Sequence, residues 1–78
     1  MTFILTIIKH DGQTVHNHVS SLRARATTGE IEILPNHCDI ICELTNGTLF
    51  VNNFDAGQII NGYLRFENNQ CKIIVVRN

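Results

Sequence analysis

Residues 29–44 read GEIEILPNHCDIICEL, and they admit two readings. One is the rim of a metal or thiol site, because a histidine, two cysteines and several carboxylates fall close together. The other is two β-strands and the loop between them. Ile31 and Ile33 alternate with Glu30 and Glu32, the period-two pattern that turns one set of side chains inward and the other toward water. Pro35 presets φ and cannot donate to a central ladder, so Pro35-Asn36-His37 reads as the turn. Asp39 to Leu44 follows as a second strand, apolar in its middle. His37-Cys38-Asp39 holds the side-chain types of a catalytic triad. Neighbours on a strand point to opposite faces, however, so these three are not expected to make that geometry with one another. Strands and a loop are the stronger reading.

Working outward, turn signals recur at short intervals: Asp11-Gly12, Thr28-Gly29, Pro35-Asn36, Asn46-Gly47, Ala56-Gly57, Asn61-Gly62 and Asn68-Asn69. Asn-Gly and Asp-Gly favour the positive φ of tight hairpins. Between them, Phe3, Leu5 and Ile7 alternate with Thr2, Ile4 and Thr6; Leu22, Ala24 and Ala26 with Arg23 and Arg25; Leu64 and Phe66 with Tyr63, Arg65 and Glu67. Ile40-Ile41-Cys42 and Ile73-Ile74-Val75-Val76 are apolar throughout and read as central strands covered on both sides. Val15, Val19, Leu22 and Ala26 also fall at helical spacing. Ser20-Ser21, the threonines and the alternation at Leu22 favour strand there instead. Seven or more short strands predict an all-β domain over residues 1–78, a small two-sheet sandwich or flattened barrel of short antiparallel strands.

A chain of 78 residues is one small domain, burying roughly 60–65% of the surface its unfolded form exposes. A hydrophobic fraction of 44% against 17% charged residues makes it globular rather than disordered. No apolar run is long enough to span a bilayer, and MTFILTIIKHDG lacks the basic start and small-residue cleavage site of a signal peptide. The six Lys and Arg are scattered and the net charge is −1, which argues against nucleic acid as a partner.

Cys38, Cys42 and Cys71 form an odd set without a CxxC, so neither a disulfide framework nor a zinc site is expected. Reduced, buried, apolar thiols in a cytosolic compartment are. His16 and His18 lie two apart and would share one face of a strand, yet no third ligand is evident, and two solvated histidines are the simpler reading. No glycine-rich phosphate loop is present, and no catalytic, metal or cofactor site is expected.

Gly29-Glu30-Ile31-x-Ile33-Leu34-Pro35-x-His37 resembles the G-E-L/I-G-I-L-P-G-H stretch of the epsilon subunit of F-type ATP synthases. The apolar opening, Asn46 to Val51, Asn61 to Phe66 and Cys71 to Val76 resemble other stretches of that family, in order and over nearly the whole chain. Glu32, Asn36 and Asn61 stand where the family has glycine, and Cys38-Asp39-Ile40-Ile41 where it has A-P-L-L. Family members usually continue into a C-terminal helical hairpin that carries inhibition of ATP hydrolysis and in some members binds ATP. This sequence stops at its last strand, so neither property is expected of it.

The resemblance implies a rotor part rather than a catalyst. It would bind the side of the gamma subunit and sit on the cytoplasmic loops of the c-ring. That places it peripherally on the cytoplasmic face of a bacterial plasma membrane, without insertion. Carried over residue by residue, Gly29, Ile33, Leu34 and Pro35 form the motif, and Glu30 and His37 would face the c-ring. Glu30 would be the acidic partner of polar ring groups; His37 would make either a loop-fixing hydrogen bond or a ring contact. An apolar strip on an outer face is the expectation for gamma. Two other readings stay open. A peptide- or carbohydrate-binding sandwich should expose an aromatic groove, although the chain has four Phe, one Tyr and no Trp. A small metal- or thiol-dependent enzyme would use His16, His18, His37 and a cysteine.

Overall fold

The computed structural model describes residues 1–77, and they form nine strands. These are β1 (Phe3–Lys9), β2 (Gly12–Val19), β3 (Leu22–Ala26), β4 (Gly29–Ile33), β5 (Ile40–Leu44), β6 (Gly47–Val51), β7 (Phe54–Ile59), β8 (Asn61–Glu67) and β9 (Gln70–Arg77). The strand order is β2-β1-β9-β8-β5-β3-β6-β7, with β4 on the far side of β3. The sheet curls at the junction of β5 and β3. That junction holds through the single pair Ala26 and Leu44 and two backbone bonds, Thr27 N to Glu43 O (3.1 Å) and Thr45 N to Arg25 O (2.8 Å). So few ladder bonds let the sheet fold over into two layers, β2-β1-β9-β8-β5 and β4-β3-β6-β7. The all-β class read from the turns is correct. The segment 13–27 is extended, as two strands broken at Ser20-Ser21.

The core fills from alternate positions of both layers: Phe3, Leu5 and Ile7; Leu22, Ala24 and Ala26; Leu64 and Phe66; Cys71, Ile73 and Val75. Phe3 and Phe66 meet edge to face at 5.3 Å between centroids, an arrangement that aromatic quadrupoles favour. Deleting a side chain such as Leu64 would remove burial and leave a cavity, together costing about 2–5 kcal/mol.

Four features differ from the sequence reading. The first and last strands, β1 and β9, pair in parallel, with Leu5 beside Cys71 and Ile7 beside Ile73. A parallel pair needs a long connection, and here the whole intervening chain is that connection. Next, the two apolar runs are not covered on both sides: Ile41 is 73% exposed, and Ile74 and Val76 are exposed too. The turn inventory also shifts. Ala56-Gly57 lies inside β7 at an irregularity where Asp55 Oδ1 accepts from Gly57 N (2.7 Å), and Asn61-Gly62 opens β8 at a bulge. Asn52-Asn53, absent from the expected turns, closes the β6–β7 hairpin with both residues at positive φ. Lastly, Cys38 is exposed rather than buried, while Cys71 is buried and Cys42 half-buried; all three are free thiols.

A candidate docking surface

β4 is an edge strand, paired only with β3 among the described residues. Gly29 opens it after the Thr27-Thr28 turn, and Leu34 to Asp39 leave it toward β5. The Pro35 turn is built as the sequence suggests. His37 N donates to Leu34 O (3.1 Å), and Asn36, third in the turn, has φ +64°. Proline second and a positive-φ residue third is the type II pattern. Asparagine tolerates that φ better than most side chains, which explains how Asn36 can stand where a glycine would be easiest.

Three segments lock this loop to the core. Asn36 N donates to Asn69 Oδ1 (2.8 Å), and Asn69 Nδ2 donates to Thr2 O (3.0 Å). Asn69 sits in the β8–β9 hairpin, so one side chain ties that hairpin to both the Pro35 loop and the N-terminal strand. The half-buried His37 ring stands edge-on to Phe66 at 5.9 Å. That contact sets the ring against the core side of its loop. Sequence reasoning named Asn68-Asn69 only as a turn; nothing in the local pattern reveals that Asn69 reaches two distant segments.

His37 and Cys38 lie in the loop, not on a strand, and the alternation argument that kept them apart does not hold there. Cys38 Sγ comes within 3.8 Å of His37 Nδ1. That nitrogen is also 2.7 Å from Cys38 O. A carbonyl can only accept, so Nδ1 carries the proton in this contact and is not a base for the thiol. His16 and His18 do not share the simple alternation either. The β1–β2 register slips between Phe3 and Leu5, and His18 has φ +61°. Among the described residues no three His, Cys, Asp or Glu gather into a metal-sized group. Cys71 is pushed up to about 12 by burial and, secondarily, by Cys42; burial also raises Cys42.

Glu30 and Glu32 are exposed on the outer side of β4, and Ile31 and Ile33 turn inward. Glu30 stands opposite Arg25, and Glu32 opposite Arg23. Arg23 lies over the Phe50 ring at 4.7 Å. The outer face of the second layer is therefore charged, with signs alternating across strands. Glu30 and His37 do not come together. Four strand steps from Glu30 to Leu34 alone span ~13 Å, so the two mark opposite ends of the β4 rim.

The outer face of the first layer is different. Ile8 lies beside Ile74, and Ile74 beside Tyr63. Val15, Ile4, Val76 and Ile41 are exposed around them, each at an outward position of its strand. Thr6, Lys72, Arg65 and Ile41 form the neighbouring cross-strand row. The face is mixed: exposed apolar side chains from five strands lie among Lys72, Arg65, Glu67 and Glu43.

The family described as ATP synthase, Delta/Epsilon chain, beta-sandwich domain matches residues 2–77. A protein of Lactiplantibacillus plantarum named ATP synthase epsilon chain is 29% identical over 76 residues, 90% of this chain and 54% of that protein. Its namesake in Prochloron didemni is 27% identical over 78 residues, 96% of this chain and 57% of its own. This chain thus spans about half the length of these relatives. Among solved structures, the fold matches chains in the central stalk and c-ring assembly of the Tetrahymena thermophila mitochondrial ATP synthase (TM-score 0.81, 15% identity, 96% of this chain, 63% of that one). It also matches one in the OSCP/F1/c-ring assembly of the Euglena gracilis enzyme (TM-score 0.82, 23% identity, 97% and 51%). With the motif loop, the two-layered fold and a match along nearly every residue in agreement, the chain belongs to the beta-sandwich family of ATP synthase delta and epsilon chains.

Proposed function

We propose that this chain is a non-catalytic rotor subunit of a proton- or sodium-driven F-type ATP synthase, coupling the turning c-ring to the gamma subunit. The observation that carries the reading is the family match over residues 2–77 on a domain whose one outer face exposes apolar side chains from five strands and whose β4 rim is charged. Such a part needs stiffness and two surfaces that do not slip. Stiffness comes from the ladders within each layer and the close-packed core between them. In this reading the outer face of β2-β1-β9-β8-β5 lies against gamma.

The β4 rim, from Glu30 to the His37 loop, faces the polar loops of the c-ring. Because Glu30 and His37 are a strand apart, the ring contact is a line along an edge rather than a single tip. An exposed pair at Glu30 contributes only about 0–1 kcal/mol, so it sets register more than affinity. The protein is then peripheral, held on the cytoplasmic face of a bacterial plasma membrane by the ring. No cofactor takes part.

Co-expression with the gamma subunit and c-ring of the parent organism, followed by pull-down and size exclusion, tests this reading. A stoichiometric complex is expected. Failure to capture gamma from that organism overturns the assignment.

A further inference from the structure

The chain carries two Asn-Gly pairs, Asn46-Gly47 and Asn61-Gly62, and the fold holds them differently. An asparagine followed by glycine is open to attack on its side-chain amide by the glycine backbone nitrogen. No Cβ shields that nitrogen, and glycine lets the backbone turn into the five-membered ring that results. Asn46 is exposed at a bend in the short link that carries the chain from β5 in the first layer to β6 in the second. Gly47 opposes Ile59 at the outer end of the β6–β7 ladder, where pairs open most readily. Asn61-Gly62 is closed in. Gly62 is buried and pairs on both sides, with Leu44 of β5 and Val75 of β9. The bond from Ile60 N to Arg77 O (3.0 Å) anchors the residue before that pair.

We propose that Asn46 is a site of spontaneous covalent modification, converting to aspartate and isoaspartate while Asn61 is protected, and that the isoaspartate loosens the junction between the layers. The Gly47 nitrogen, having lost its proton to hydroxide, bonds to Asn46 Cγ. The Cγ–Nδ2 bond breaks and Nδ2 leaves as ammonia, giving a succinimide. Water then opens the ring: attack at Cγ yields aspartate, and attack at the Asn46 backbone carbonyl yields isoaspartate. One water is consumed and one ammonia released, with no change of oxidation state. Isoaspartate routes the backbone through the former side chain and lengthens it by one carbon. The residues on either side are fitted to Arg25: Thr45 N donates to Arg25 O (2.8 Å), and a Cβ on Gly47 would stand 2.8 Å from Arg25 Cβ. A longer backbone between them does not keep both fits, and the Thr45 bond is one of the few that join β5 to β3. The inference is independent of where gamma docks.

The test ages the full chain in mildly alkaline buffer, natively and in urea, and follows both asparagines by peptide mapping, with isoaspartyl methyltransferase labelling to separate the two products. In urea both should convert at similar rates. In the native chain Asn61 is expected to convert at least about tenfold more slowly than Asn46, because its ring closure needs β8 to open locally. Asn46→Gln should melt like the parent and form no isoaspartate at this position. In the purified isoaspartate form, amide exchange at Thr45 and Thr27 should quicken by about tenfold or more. An Asn46 that stays intact natively while converting in urea overturns the proposal, as does an Asn61 that keeps pace with it in the native chain. Isoaspartate at position 46 with unchanged exchange at Thr45 and Thr27 would overturn the loosening of the junction.

Discussion

Six non-glycine residues of the described chain have positive φ, and five are asparagines: Asn36, Asn52, Asn53, Asn68 and Asn69. At these positions asparagine does what glycine does elsewhere and adds a side chain that can bond. Asn52 shows the gain. Its Oδ1 accepts from Ser20 N (2.6 Å), Ser20 Oγ (2.9 Å) and Ser21 N (3.2 Å). Asn52 N in turn donates to Ser21 O (2.9 Å). The β6–β7 hairpin is thus latched to Ser20-Ser21, the point where the chain crosses from the first layer to the second. Asn52→Gly keeps the backbone conformation and loses the side-chain bonds, and is expected to cost about 1–2 kcal/mol. Asn52→Ala adds the left-handed penalty of about 1 kcal/mol or more. Urea melts of the two variants separate the terms, and equal costs would show that the conformation contributes nothing.

Cys71 gives a second expectation at this scale, in alkali. Burial raises the thiol from 9.0 to about 12, so the native chain holds a proton that the unfolded chain gives up. That contribution to stability is intact below the unfolded value and is lost as pH climbs from about 9 toward 12. The slope is at most ~1.4 kcal/mol per pH unit. Cys71→Ala should be less stable at neutral pH, since it opens a gap in the core, yet should lose less stability between pH 8 and 11. Denaturant midpoints measured across that range check it, and parallel decline in both proteins would refute it.

Among the elements, strands were legible wherever one face is buried, because period two then appears in the letters: Phe3, Leu5, Ile7 and Leu64, Phe66 are the clearest. Long apolar runs misled for a physical reason. Ile40 to Cys42 and Ile73 to Val76 are apolar at outward positions as well, and a lone sequence cannot distinguish a second layer of the same chain from another molecule. The Pro35 turn was legible from proline alone. Asn69's two tethers and the parallel β1–β9 pair were not, because both depend on contacts between residues far apart in sequence. Gly62 shows how a register irregularity is held. A Cβ there would lie 2.6 Å from Ile74 O on the adjacent strand, and backbone cannot swing aside as a side-chain tip can. Gly62→Ala is therefore expected to force β8 and β9 apart at the bulge and destabilise the domain by about 1–3 kcal/mol, the range of overpacked sites. Amide exchange should quicken first in β8 and β9; unchanged protection there would mean that the ladder absorbs the methyl group.

For the molecule as a whole, a small core and an outer face that exposes apolar side chains belong to the same design problem. A domain of 78 residues has little stability in reserve, and part of its apolar surface is spent on an outward face. On the proposed docking of gamma, covering that face would add stability by mass action, because only the folded chain would bind. With gamma present at a hundredfold excess over the dissociation constant, the gain is about 2.7 kcal/mol. In a domain of this length that corresponds to a melting point higher by roughly 10–20 °C. The rise should follow the logarithm of gamma concentration, disappear with Ile74→Asp and survive Glu30→Gln, since Glu30 lies on β4, in the other layer. A melting point indifferent to gamma would show that gamma does not cover this face, and the proposed coupling role would fall with it.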